Sequence, residues 1–284
     1  MNLCTGHNIG TRLLSACLAF GTAIVMLMPR HTVAETETRE VSFPTGRQVV
    51  QVTDELACDL SRRKDGIVTI YVRRGEEYGV LLRQDGKEYR YLYLEPGRHV
   101  LPLSEGGGEY EMIAAEHVQG TSWKVLYDET FTAELTDENE PFRRPDIMVN
   151  YEVYSPLARK AAGLQVAGDD RKTVEKITSW VWHHIRYDWQ REKKIRQEHT
   201  GLSQCMPDPE KTYRRRSGVC LDQAALTTAM LRSTGLTARL VFGDHLGNYH
   251  AWTEVLTSDG DVIVADATEN YTGSGENYVP EQYY

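Results

Sequence analysis

The chain has 284 residues and a formal net charge of −9, from 41 acidic and 32 basic side chains. That length gives room for two modest domains with cores of their own. The acidic balance argues against nucleic acid and anionic membrane surfaces as partners, since both repel negative charge.

At the N-terminus, Arg12 precedes an apolar run from Leu13 to Met28. Pro29 and then Thr32-Val33-Ala34 follow, the small-residue pattern of a signal peptidase site. The run is shorter than the ~20 residues that span a bilayer comfortably. Residues 1–34 therefore read as a cleaved signal peptide, with an N-terminal membrane anchor as the alternative. The mature protein is expected to be secreted or at the cell surface, with no membrane association after cleavage. Leu14-Ser15-Ala16-Cys17 is not a lipoprotein box, because the apolar run mostly follows Cys17 instead of preceding it. Cleavage removes Arg12 and Arg30 and no acid, moving the net charge to −11. Cys58, Cys205 and Cys220 remain, an odd number that suggests a free thiol. Cys58 and Cys205 either pair or stand as ordinary thiols; the sequence leaves both open.

From about Val41 to Leu135 short alternating runs are broken by turns: 67–73, 79–83, 89–94, 99–103, 109–115 and 123–127. Gln84-Asp85-Gly86 and Glu95-Pro96-Gly97 supply turn chemistry, so a small β-sandwich is expected as an accessory domain over residues 35–140. Gly106-Gly107-Gly108 reads as a turn, since no helix follows to make a phosphate loop. The polar stretch 136–145 reads as a linker into a second domain, 141–284.

There, Ser155-Pro156 starts one helix and Asp169-Asp170 a second that runs to about Arg186. Val174, Ile177, Val181 and Ile185 give the second an apolar stripe. His183 and His184 point about 100° apart and cannot chelate one ion together. No Cys-x-x-Cys or His-Glu-x-x-His pattern occurs in the chain, and neither a metal nor a cofactor is expected. Residues 188–210 read as a long, charged loop of the kind that forms functional rims. Lys193-Lys194 and Arg214-Arg215-Arg216 are basic islands that read as solvated faces.

The most informative segments come next: Ser217-Gly218-Val219-Cys220-Leu221-Asp222, Tyr249-His250-Ala251-Trp252 and Ala265-Asp266-Ala267-Thr268. They supply a thiol, an imidazole and a carboxylate, the parts of a cysteine acyl-transfer centre. An amphipathic run with Leu221, Ala224, Ala225, Thr228 and Leu231 follows Cys220, and Gly235 stops it, so Cys220 is expected at a helix N-terminus. There the helix dipole favours a thiolate, and a free N–H is available to an oxyanion. Strands are expected over 236–242, 250–257 and 261–268. A three-residue turn Ser258-Asp259-Gly260 pairs residue 257 with 261 and places His250 opposite Thr268. His250, Trp252 and Asp266 then share one face, with His250 and Asp266 diagonal neighbours roughly 7 Å apart. A two-residue turn would send Asp266 to the other face. His245 is a competing base, but it precedes the strand. Gly273-Ser274-Gly275 lacks the spacing of a serine hydrolase elbow.

Gly218-Val219-Cys220-Leu221-Asp222-Gln223-Ala224-Ala225-Leu226, the Leu231–Gly243 stretch, Tyr249-His250-Ala251-Trp252-Thr253-Glu254-Val255 and Asp266-Ala267-Thr268 resemble the core of the transglutaminase-like superfamily. The resemblance covers about residues 150–284. It implies an α+β, papain-like core in which a Cys-bearing helix packs on an antiparallel sheet, with the catalytic order mapping onto Cys220, His250 and Asp266. Ala267 departs from the proline usual after the family's aspartate. The expected function is an exported thiol acyl-transfer enzyme acting on peptide or carboxamide bonds of a protein or peptide substrate. Its outcome is either hydrolysis or cross-linking, because water exclusion around the thioester decides between them. A non-catalytic cell-surface binding protein of the same fold is the alternative.

Overall fold

A computed structural model describes residues 41–75, 77–197 and 206–284. The expected signal peptide and Cys205 lie outside the described residues.

The first half is a sandwich of two antiparallel four-stranded sheets. One contains β1 (Val49–Gln51), β2 (Leu56–Asp59), β3 (Ile67–Val72) and β6 (Gly97–Pro102), in that order. The other contains β4 (Tyr78–Gln84), β5 (Lys87–Tyr91), β7 (Gly108–Gln119) and β8 (Ser122–Ala133), in the order β5-β4-β7-β8. Period-two burial builds the core: Val80 and Leu82 point inward from β4, and Tyr110, Met112 and Ala114 from β7. Gln84 pairs with Lys87, so Asp85-Gly86 is a two-residue turn, and both residues take the positive φ that such a turn requires (48° and 84°). Strands β1 and β2 are only three and four residues long. Alternation over so few positions carries no pattern, and neither was anticipated.

The expected linker is packed. Residues Glu140–Arg143 form a 3-10 turn with Phe142 buried, and the Arg239 guanidinium lies 4.6 Å from the centre of its ring. Just beyond, Asp146 and Arg232 make a buried ion pair at 2.6 Å, and Arg232 also donates to the carbonyls of Arg144, Ala238 and Tyr284. Because its donors are this fully used, the buried charge is compensated instead of stranded. The hydrophobic core runs without a break from Leu56 and Tyr91, through Met148 and Val149, to Val219 and Leu226.

The second half places helices α1 (Pro156–Ala162), α2 (Asp170–His184), α3 (Trp189–Gln197), α4 (Pro209–Arg215) and α5 (Cys220–Ser233) beside a five-stranded sheet. That sheet contains β11 (Thr237–His245), β12 (Asn248–Leu256), β13 (Val262–Asp266), β14 (Tyr271–Gly273) and β15 (Tyr278–Tyr283), ordered β14-β13-β12-β11-β15. A two-residue parallel pair, β9 (Arg186–Tyr187) with β10 (Ser217–Gly218), stands apart. Helices α1 and α2 begin at the expected caps, where Ser155 and Asp169 accept from the N–H groups of Ala158 and Lys172.

Two expectations are corrected. Residues 188–210 are not one long loop: Asp188 caps α3, accepting from the Arg191 N–H at 3.0 Å, and Asp208 caps α4. Helix α3 has no buried residue, so it lacks the apolar stripe by which helices are recognised. Nor is α5 amphipathic. Every residue from Cys220 to Arg232 is buried, with α1, α2 and α4 on one side and β11 and β12 on the other. Its threonines are satisfied internally, Thr227 donating to the Gln223 carbonyl and Thr228 to that of Ala224.

Candidate functional site

Cys220 is the first residue of α5, and the motif around it is built by one carboxylate. Asp222 is buried, accepts from the Val219 N–H at 3.0 Å, and pairs with Arg215 at 3.0 Å and Arg191 at 3.4 Å. Any Cβ at Gly218 would stand 2.5 Å from the Asp222 Cβ, so only glycine lets the chain turn tightly into the helix. Cys220 is 6% exposed.

The hairpin that carries the imidazole and carboxylate has the anticipated register. Thr253 pairs with Ala265 and Leu256 with Val262, while Thr257 donates to the Asp261 carbonyl at 2.9 Å. The turn is therefore Ser258-Asp259-Gly260, with Gly260 at φ 90°. Extending this register sets His250 across from Thr268, and the parity brings His250 and Asp266 together. His250 Nε2 lies 2.8 Å from Asp266 Oδ2. With Nε2 committed to Asp266, Nδ1 is the ring nitrogen left for Cys220, one of the groups that raise the His250 pKa.

Asp266 is itself held from several sides. Tyr278 donates its hydroxyl to Oδ2 at 3.0 Å, and Thr268 donates both its N–H (2.8 Å) and its hydroxyl (2.6 Å) to Oδ1. Burial works to raise the carboxyl's pKa, but the bonds to His250 and Thr268 outweigh it and hold it below the ordinary range. Burial likewise works to lower His250, while its bonds to Asp266 and Cys220 raise it to about 10. The site thus favours an imidazolium beside the Asp266 carboxylate. His245 is placed elsewhere: its ring stacks on Tyr278 at 4.0 Å, with Nε2 3.4 Å from Glu269.

Tyr187 was not singled out from the sequence. Its strand β9 pairs with β10, setting it opposite Gly218, and its hydroxyl meets both the backbone and the side chain of Cys220. Burial first, and then the charge of Cys220, raise its pKa and keep it a hydroxyl donor. Nothing local marks it: a tyrosine 33 residues before the cysteine becomes part of the site only through a two-residue strand pair. Tyr278 escaped for the same reason, since β15 returns along β11 and not beside β13.

His183 and His184 turn their Nδ1 atoms to the carbonyls of Ser179 and Trp180, the capping pattern of a helix's last turn. Cys58 is a free thiol in the sandwich core.

The family model of the transglutaminase-like superfamily matches residues 158–267. UPF0252 protein MJ1282 of Methanocaldococcus jannaschii is 37% identical over 73 residues, a stretch that spans 25% of this chain and 20% of that relative. Among solved structures, a proposed cysteine protease from Cytophaga hutchinsonii is similar at 15% identity and a TM-score of 0.42, covering 77% of this chain and 79% of that one. The periplasmic domain of TgpA from Pseudomonas aeruginosa is similar at 12% identity and a TM-score of 0.34, covering 78% and 95%. Residues 158–267 thus match the transglutaminase-like superfamily, and a β-sandwich precedes them.

Proposed function

We propose that this protein is a thiol acyl-transfer enzyme acting on peptide or carboxamide bonds, with Cys220 as nucleophile, His250 as acid–base and Asp266 as the group that orients the imidazole. The observation that carries the reading is the 2.8 Å bond between His250 and Asp266 beside a thiol at a helix start. A carboxylate that fixes one ring nitrogen directs the other at the thiol, which is the positioning acyl transfer needs.

In this reading Cys220 Sγ, as a thiolate paired with the imidazolium, attacks the carbonyl carbon. The C–O π electrons move to oxygen, where the Cys220 N–H and the Tyr187 hydroxyl are the nearby donors. Collapse expels the amine, which takes its proton from His250 and leaves a thioester on Cys220. Water or a second amine then attacks the thioester, His250 takes its proton, and the thiolate returns. Hydrolysis and cross-linking share every residue named.

Cys220→Ala exchanges one small buried side chain for another and is expected to abolish both thioester formation and turnover while the fold persists. Retained turnover in this variant, assayed by ammonia release from glutamine-containing peptides, would assign the chemistry to another group. A wild-type Cys220 inert to thiol alkylation would favour a binding protein instead. Export belongs to the same proposal and rests on the segment ending at Thr32-Val33-Ala34. The mass of the protein recovered outside the cytoplasm should correspond to a start at Glu35; an intact N-terminus in the membrane fraction would indicate the anchor.

A further inference from the structure

We propose that the cleft between the β-sandwich and the second half of the chain binds a neutral oligosaccharide, with Tyr93 and Tyr154 as stacking platforms for its sugar rings. The site stands apart from the thiol, since neither of the two cavities that form it is lined by Cys220, His250 or Tyr187.

The two cavities, of about 710 and 420 Å³, adjoin and share Asn150 and Asp208 on their walls. The larger lies between β6, with the loop that precedes it, and the segment 144–150; the smaller continues past Tyr151 to the start of α1. Each has an exposed tyrosine on its wall, Tyr93 at 49% and Tyr154 at 87%. Tyr93 takes φ 56°, the left-handed region that bulky side chains rarely adopt, and its ring is braced by those of His117 and Trp123, both at 5.3 Å. Packing does not account for an aromatic side chain held on strained backbone and still half-exposed. Strain of this kind gathers at ligand sites.

The charges on the walls do not select an ion. Arg62, Arg144 and Asp146 are paired with Asp65, Glu140 and Arg232. That leaves Arg98 and Lys211 against Glu95 and Asp208 in the larger cavity, and Arg214 against Glu152 and Glu210 in the smaller. With neither sign dominant, the cleft offers an anion or a cation as much repulsion as attraction. What it does offer is hydrogen-bonding capacity. The side chains of Arg98, Asn150, Lys211 and Arg214 donate to none of the described residues, and Arg144 Nε and Glu210 Oε1 are buried atoms without a partner among them. Donors and acceptors are left over together, and a hydroxyl serves both. A pyranose carries hydroxyls around its rim and C–H groups on its faces, which suit the electron-rich face of a tyrosine ring. A peptide adding itself as a strand finds less: β6, the edge strand beside the cleft, is already used at Val100, whose carbonyl accepts from the Ile147 N–H at 2.8 Å.

The test titrates the full chain with three uncharged hexasaccharides, cellohexaose, maltohexaose and chitohexaose, by isothermal titration calorimetry. At least one is expected to bind with a Kd of about 1 mM or tighter, with the same affinity at about 0.1 M and 1 M salt. Tyr154→Ala removes an exposed ring and should weaken binding about 5- to 10-fold. Tyr93→Asn removes the other ring with a residue that tolerates the left-handed backbone, and should do the same. Alkylation of Cys220 should be unchanged in both variants. A proline-rich decapeptide, the kind of peptide that docks on aromatic-lined grooves, should not compete. The proposal is overturned if none of the three sugars binds, if either folded tyrosine variant keeps full affinity, if the charged hexagalacturonate binds better and in a salt-dependent way, or if the peptide displaces the sugar.

Discussion

Cys58 and Cys220 are both buried thiols in one chain. Cys58 lies on β2 in the sandwich core with 0% exposure, and burial pushes its thiol up to about 12. Cys220, at 6% exposure, opens a helix and meets an imidazole and a phenol. The contrast sets burial alone, which suppresses thiol chemistry, against burial beside an imidazole and a phenol, the setting that the proposed acyl transfer needs. Cys58 is a member of the hydrophobic core; Cys220 lies near sequence-distant side chains from two elements, Tyr187 of β9 and His250 of β12.

The sharpest way to break this comparison short of removing the sulfur is Asp266→Asn, which leaves Cys220 with an unanchored imidazole. Turnover should fall about 100-fold or more, and the His250 titration midpoint, read from its ring protons by NMR, should drop from about 10 toward its ordinary value near 6.5. The sign follows from linkage. A histidine raised to about 10 contributes stability that is fully present below about 6.5 and lost as pH climbs to about 10. Asp266, with its pKa lowered, contributes stability present above the ordinary carboxylate pKa and lost as pH falls through its depressed value. Thermal unfolding of the variant across pH 6.5–10 should therefore be flatter than that of wild type. A midpoint that stays near 10 in Asp266→Asn would show that the carboxylate does not control the imidazole. Tyr278→Phe, which removes one of several donors to Asp266, should move the midpoint much less.

A smaller effect is expected from Tyr187→Phe, which keeps the ring and its packing on Trp189 but removes the hydroxyl beside Cys220. Turnover should fall about 10- to 100-fold in kcat with little change in KM, because an oxyanion donor acts on the transition state more than on bound substrate. Cys220 alkylation should persist in this variant. Equal kcat in the two proteins would remove Tyr187 from the chemistry and leave it a packing residue.

What the sequence determined about this protein is local in origin. The sandwich strands with clear alternation, the caps at Ser155 and Asp169, Cys220 at a helix start and the parity of the Ser258-Asp259-Gly260 turn all follow from neighbours a few residues apart. The turn alone fixed which face Asp266 shares with His250, since strand side chains alternate with a period of two. Tertiary structure decided what depended on contacts between distant segments. It made α3 a helix with no apolar face and buried α5 on every side. It also brought Tyr187 to Cys220 through a two-residue parallel pair and Tyr278 to Asp266 through a strand that joins the sheet beside β11. Such residues carry no periodic signal, because their positions are set by where the chain returns and not by what precedes them along it.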